Sequence, residues 1–161
     1  MSRELVEQYA NGAEKLTMAI RGLTAEDLTC RPAADAGVGQ WSIHEVVIHL
    51  ADAEQVVADR MKRVIAEENP VLLAFDENKW IANLQYDKQS THDGAEIVKL
   101  VRWQMSAVLS ALPGKAFERS GMHSEAGKKT LSDLIKGAIH HLEHHLKFIH
   151  AKRAKMGKEM W

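Results

Sequence analysis

Apolar residues recur every three or four positions over long stretches of the chain, which is the spacing of amphipathic helices. The first stretch, from Ser2 to Gly22, has the apolar stripe Leu5, Val6, Tyr9, Ala13, Leu16 and Ile20. The second begins at a capping-box pattern, Ser42 with Glu45, and runs to about Glu67. Its stripe is Ile43, Val46, Val47, Leu50, Ala53, Val57, Met61 and Val64. Both patterns predict long helices with one buried face.

Two further long helices are predicted in the second half of the chain. The third runs from about Asp93 to Leu112, and its expected core positions are Ile97, Val101, Met105, Val108 and Leu109. The fourth begins at the pair Thr130 and Asp133 and extends to about Met156. Between the second and third helices, Asp76 to Tyr86 predicts a short connecting helix, whereas Thr24 to Gln40 is interpreted as an irregular loop.

Strand patterns are nearly absent, because no stretch alternates apolar and polar residues over enough positions. The three prolines, Pro32, Pro70 and Pro113, all fall between the helical stretches. The expected fold class is therefore all-α: a four-helix bundle of the up-and-down type, with a short extra helix in a connecting loop. A length of 161 residues without internal repeats predicts one domain over residues 1–161.

Composition narrows the classes of function. The formal net charge is −1, so the positive field that nucleic-acid binding needs is missing. The basic run Lys152-Arg153-Ala154-Lys155 is interpreted as a solvated helix end that compensates the helix dipole. A single cysteine, Cys30, excludes an intrachain disulfide and a cysteine-rich zinc site. No apolar run approaches membrane-spanning length and the chain begins without an apolar segment, so a cytoplasmic protein is expected.

The candidate chemistry lies in the histidine-rich sequence His140-His141-Leu142-Glu143-His144-His145 of the fourth predicted helix. At about 100° per residue, His145 falls inside the apolar arc and His141 at its edge, whereas His140 and His144 fall on the polar side. On the second helix, His49 lies at the margin of the apolar face. Two imidazoles four residues apart project from one face, and a third from another helix completes a metal site.

Burial of paired imidazoles without partners would leave polar nitrogens unsatisfied, and a shared ion removes that cost. The pattern therefore predicts a metal site formed by His49, His141 and His145. The alternative interpretation is that His141 and His145 are ordinary polar residues in a wet crevice. Solvent-facing positions are expected for His92, His140, His144 and His150, and packing roles for Trp41, Trp80 and Trp103.

Several segments together resemble a known family. They are residues 41–54, with the pattern W-S-x6-H-L-x3-E, residues 75–80, 119–125 and 130–134, and residues 141–149, with H-x-x-H-H. With them the chain is similar to the DinB/YfiT-like four-helix-bundle metalloproteins, in the DinB_2 branch. The resemblance implies a divalent ion (nickel, zinc, iron or manganese) bound by His49, His141 and His145. His123 is followed by Ser124, where the family often has proline and glutamate, so His123 receives no role.

Three neutral imidazoles leave coordination positions open, as in catalytic rather than closed structural sites. The ion would act as a Lewis acid or lower the pKa of bound water. The resemblance also implies activation of a low-molecular-weight thiol. We therefore expect a metal-dependent hydrolase or a thiol-dependent S-transferase with a small-molecule substrate, and no catalytic side chain is assigned. Asp52 and Glu45 are candidates for hydrogen-bond partners of the metal-binding histidines, or else solvated charges.

Other classes of function remain alternatives. One is a non-catalytic stress-response binding module in which the ion only ties helices together. A DNA-binding damage-response protein is a further alternative, against which the near-zero net charge argues. The resemblance implies a homodimer, and neither nucleic acid nor a membrane is expected as a partner.

Overall fold

The computed structural model of the protein describes residues 2–160. Its helices are α1 (Ser2–Asn11), α2 (Lys15–Ile20), α3 (Ala25–Thr29), α4 (Ile43–Ala66), α5 (Glu77–Asn83), α6 (Thr91–Ser110) and α7 (Leu131–Lys155). Its strands are β1 (Val71–Leu72), β2 (Ser120–His123) and β3 (Gly127–Thr130). Short 3-10 helices cover Tyr86–Lys88 and Gly114–Glu118.

Four helical segments form the bundle: α1 with α2, then α4, α6 and α7. Helix α4 packs against α6 and α7, and α1 and α2 pack against the same two helices. The first and second segments of the bundle are therefore diagonal to each other rather than side by side. The predicted four-helix bundle with a short helix in a connection is confirmed. Within residues 2–160, no helix is both long enough and apolar enough to cross a membrane.

Side-chain caps fix where the helices begin. The Ser42 hydroxyl accepts a hydrogen bond from the Glu45 backbone N–H at 3.1 Å, and the Glu45 carboxylate accepts one from the Ser42 N–H at 2.8 Å. Thr130 and Asp133 form the same reciprocal cap on α7. Both predicted starts are therefore correct. A third box, between Thr24 and Asp27, begins α3, so the interpretation of residues 24–40 as wholly irregular was wrong.

The first predicted helix, Ser2 to Gly22, is interrupted between α1 and α2. The interruption lies at Gly12, where an added Cβ atom would approach Nη1 of Arg102 to 2.2 Å. A helix with a larger residue here would exclude that side chain from the bundle. The buried arginine on α6 therefore requires a glycine at position 12.

The predicted core face of α6 was partly wrong. Ile97 and Val108, expected in the core, are 36% and 38% exposed, and Trp103, expected as a packing anchor, is 47% exposed. The residues of α6 that are buried are Gly94, Ala95, Val98, Arg102, Met105 and Leu109. Arg102 lies in the middle of this buried stripe. Because the prediction counted only apolar residues, it assigned the buried face of α6 to the wrong positions.

Arg102 is the centre of a buried polar network that joins the four segments of the bundle. Its Nε and Nη2 donate to Oε2 of Glu54 on α4 at 3.0 and 2.8 Å. Its Nη2 also donates to the carbonyl of Ala138 on α7 at 2.8 Å. The Tyr9 hydroxyl on α1 donates to Oε1 of Glu54 at 2.6 Å, and the guanidinium lies 4.6 Å from the centre of the Tyr9 ring.

A small sheet, which the pattern did not predict, lies beside the bundle. Strand β1 pairs in parallel with β2, and β2 pairs antiparallel with β3. Strands of two to four residues are too short to show alternation, which explains the omission. At Gly121 an added Cβ would lie 2.8 Å from the Pro70 carbonyl oxygen, so glycine permits the close approach of β1.

The basic run at the end of α7 was predicted to be solvated, but two of its side chains are buried. Lys152 and Arg153 are 4% and 6% exposed. The Lys152 ammonium donates to the Val38 carbonyl, and Nη1 of Arg153 donates to the carbonyls of Ala19 and Arg21 at 3.0 Å each. The Ala19 and Arg21 carbonyls lie at the end of α2, where helical partners are missing. Arg153 therefore caps α2, whereas Lys152 binds the loop that precedes α4.

Replacement of Glu54 by Gln should destabilise the fold, because it leaves the Arg102 guanidinium buried without a charged partner. We expect the free energy of unfolding in urea to fall by about 3 kcal/mol. The control is Glu7→Gln, which removes an exposed pair with Arg3 and should leave the unfolding midpoint unchanged. Equal midpoints for the two variants would contradict the role given to the network.

Candidate metal centre

Helices α4 and α7 bring the three predicted histidines together. His49 on α4 is 1% exposed, and His141 and His145 lie one turn apart on α7, each half-buried. One nitrogen from each ring lies within 4.8 Å of the other two. The Nε2 atoms of His49 and His141 are 3.1 Å apart.

The rings meet edge to face. The ring centroids are 5.0 Å apart for His49 and His141, 4.9 Å for His49 and His145, and 4.7 Å for His141 and His145. Tetrahedral coordination at 2.0–2.1 Å separates ligand nitrogens by about 3.4 Å, so the 3.1 Å pair already has a suitable spacing. The widest pair needs to close by at most roughly 1.5 Å. Small ring rotations suffice, and the three residues fit a divalent ion.

All three rings are neutral near pH 7. Burial is the main cause, and it lowers the pKa of His49 and His141 to about 4 and that of His145 to about 3. Neighbouring positive charge adds to the effect, including that of Arg102 on the pKa of His141. Because only a neutral imidazole offers a lone pair to a metal, the cluster is ready to bind one without losing protons.

Asp52 and Glu45, considered either as hydrogen-bond partners of the histidines or as solvated charges, are bound to other residues. Asp52 accepts a hydrogen bond from the Tyr86 hydroxyl at 2.5 Å. Glu45 pairs with Arg31 and folds back onto the start of α4. Among the described residues, Nδ1 of His49 is buried without a hydrogen-bond partner. The sequence placed Asp52 and Glu45 at helical spacing from His49, but capping and pairing demands decide their orientation.

The remaining histidines divide into two groups. His92, His140, His144 and His150 are exposed, as predicted. His44 is buried away from the cluster, with Nδ1 2.7 Å from the Thr91 hydroxyl and Nε2 2.7 Å from the Tyr86 carbonyl. His123, to which no role was given, is half-buried at the end of β2 and lines the cavity next to the cluster.

A cavity of about 360 Å³ borders His49 and His141. Helices α4 and α7 form one side of it, and the other side consists of the β2–β3 hairpin, Phe75 and the start of α5. The cavity lies within the size range of small-molecule sites. The unpredicted sheet therefore supplies a wall of the candidate site.

Glu77, the first residue of α5, was missed by sequence reasoning. Its Oε2 lies 3.7 Å from Nε2 of His49, and its side chain is 50% exposed. It belongs to the predicted connecting helix, but no periodicity relates that helix to α4. Only the D-E-x-x-W segment of the family resemblance drew attention to this part of the chain.

Aromatic rings cover the histidine cluster. Trp41 is parallel to His145, with an interplanar angle of 5° and centroids 6.2 Å apart, and its centroid is 5.1 Å from that of His49. Phe75 lies 6.4 Å from His49, and Trp80 packs on Phe75 at 4.6 Å. These rings form an apolar border on one side of the cluster.

Comparisons with known proteins agree with this architecture. YfiT from Bacillus subtilis, described as a probable metal-dependent hydrolase with an unusual four-helix bundle topology, has a solved structure that superposes with a TM-score of 0.86. That match has 22% sequence identity and covers 97% of this chain and 87% of the other, so it shows a common fold. By sequence, YfiT from strain 168 is 28% identical over 145 residues, which are 89% of this chain and 79% of YfiT.

A relative from Oceanobacillus iheyensis, named as a candidate metal-dependent hydrolase, is 29% identical over 111 residues. The alignment covers 69% of this chain but 64% of that relative's length. The model of the DinB superfamily, DinB_2, matches residues 8–149, which include all three histidines of the cluster. The chain belongs to the DinB superfamily.

Proposed function

We propose that His49, His141 and His145 bind one divalent ion and that the protein is a metal-dependent hydrolase of a small molecule. The observation that carries the proposal is the convergence of three neutral rings from two helices beside a cavity of about 360 Å³. The names of the YfiT-like relatives support the reaction class. A site that served only to tie helices together would have no need of an adjoining cavity.

The cavity residues suit a hydrolytic reaction. An ion held by three histidines keeps open positions, and it supplies Lewis acidity and a lowered pKa for water. The Glu77 carboxylate lies close enough to His49 to accept a proton from an attacking water at its Oε2. Trp41 and Phe75 give the cluster an apolar border, and a less polar surrounding strengthens electrostatic interactions.

Metal analysis of protein purified without a histidine tag tests the proposed centre. We expect about one divalent ion per chain, and loss of that ion in His145→Ala, because two imidazoles alone bind it far more weakly. The matched control is the double variant H140A/H144A, an exposed pair of the same spacing whose ring centroids are 6.3 Å apart. Full metal content in H145A would refute the assignment.

The pKa values of the cluster predict how acid affects the metal-free protein. In the unfolded chain each ring titrates near pH 6.5, whereas in the folded protein the pKa values are about 4, 4 and 3. The unfolded state therefore binds more protons below pH 6.5, so stability is lost as the pH falls from 6.5 towards 4. Urea unfolding of the metal-free protein across this range should show the loss, and a smaller loss in H145A.

An equal acid dependence in H145A and the unmodified protein would contradict these pKa shifts. Zinc affinity offers a second check. Because the rings stay neutral, affinity should change little between pH 7.5 and 5.5 and should not fall from pH 6.5, as it would with exposed imidazoles.

Glu77→Gln tests the proton acceptor. Turnover of the best substrate in a screen of model esters and amides should fall by about 10²-fold or more. Metal content should not change, since Glu77 lies outside the three-residue cluster. Glu96→Gln, which removes a carboxylate paired with Lys99 on α6, is the control and should retain activity.

The same screen separates the reaction classes. Turnover that requires an added low-molecular-weight thiol would assign an S-transferase, and turnover in water alone a hydrolase. A large fall in melting temperature on chelation, without turnover of any substrate, would instead favour the structural metal of a non-catalytic binding module.

A further inference from the structure

The cavity beside the histidines carries two cations that form no ion pair with any described carboxylate. Arg60 on α4 and Lys129 on β3 both line it. Within residues 2–160, no carboxylate oxygen lies within 4.0 Å of the charged nitrogens of either side chain. Arg60 is held in place by hydrogen bonds from Nε, at 3.2 Å, and Nη2 to the Leu73 carbonyl. Nη1 of Arg60 has no hydrogen-bond partner among residues 2–160.

His123 adds a neutral donor to the same wall. Its Nδ1 accepts hydrogen bonds from the backbone N–H groups of Glu125 and Ala126 at 3.3 and 3.2 Å. The proton of the neutral ring is therefore on Nε2, which can donate. Burial and the adjacent positive charge of Arg60 lower the pKa of His123, which keeps the ring neutral near pH 7.

Among the described residues, the carboxylates that line the cavity form no ion pair with Arg60 or Lys129. Asp133 accepts hydrogen bonds from the Thr130 N–H and hydroxyl at 3.0 and 2.7 Å. Glu54 is bound by Arg102, and Glu77 lies at His49. The donors of Arg60 and Lys129 thus remain available in a partly enclosed site, where a negative ligand group gains most from them.

We infer that Arg60, His123 and Lys129 bind an oxyanion of the substrate, either a carboxylate or a phosphate. The substrate class is then a small anionic molecule whose anionic group lies at the β2–β3 hairpin and whose reacting bond lies at the histidines. The second half of this statement rests on the proposed function. The anion site itself does not, because its donors are separate from the histidine cluster.

Titration of metal-free protein with inorganic phosphate, and separately with acetate, tests the anion site without interference from a bound metal ion. We expect saturable NMR shifts of the amide groups in residues 127–130, and the anion that binds more tightly identifies phosphate or carboxylate. Lys129→Gln and Arg60→Gln should each weaken binding about tenfold, the loss of one charge-assisted contact.

Two neighbouring cations provide matched controls. Lys128 is exposed on the same strand, and Arg63 on α4 pairs with Asp59 at 2.7 Å, so K128Q and R63Q remove the same charge outside the cavity. Unchanged affinity in both supports the site. Equal weakening in the controls would show a general charge effect and overturn it, as would the lack of saturable binding by either anion. If R60Q does not fold, the anion affinity of K129Q, a variant of the hairpin, tests the site by itself.

The outcome is independent of the metal assignment. Saturable anion binding by a protein that takes up no divalent ion would refute the metal centre and retain the anion site. A metal-loaded protein with no anion binding in its metal-free form would do the reverse.

Discussion

The buried ion pair between Arg102 and Glu54 is the constraint on which the rest of the structure depends. The pair joins α4 to α6, and it also contacts Tyr9 on α1 and the Ala138 carbonyl on α7. It therefore involves every segment of the bundle. Neither charge is solvated, so each requires the other, and the hydrogen bonds define one relative position of the helices. The absence of a side chain at Gly12, between α1 and α2, meets the space that Arg102 requires.

The network also connects the fold to the candidate site. Glu54 follows His49 on α4 by just over one turn and lines the cavity, while the Arg102 charge helps to lower the pKa of His141. Without the Glu54 carboxylate, an uncompensated positive charge would remain next to residues proposed to bind a cation. The ion pair therefore positions the helices that carry the site and also neutralises the charge of Arg102 beside it.

Sequence reasoning found the features that leave a local pattern in the chain, namely helix caps and the helical spacing of apolar residues. The capping residues Ser42 and Thr130 gave the starts of α4 and α7, and the helical phase of α7 separated His141 and His145 from His140 and His144. The same reasoning failed on α6, where a buried Arg102 interrupts the apolar stripe. It also failed on Lys152 and Arg153, because their buried positions depend on carbonyls more than a hundred residues away in sequence.

The candidate ligands and the remaining cavity residues differ in how they are held. His49, His141 and His145 lie on long helices whose orientation is fixed by packing, which suits a site that needs precise geometry. Glu77, His123 and Lys129 lie on α5 and the hairpin, short elements that periodicity does not reveal. Such connections accept substitutions and changes of length more readily than core helices. Substitutions in these segments change the wall of the cavity without moving the three histidines, which is why the fold alone does not identify the substrate.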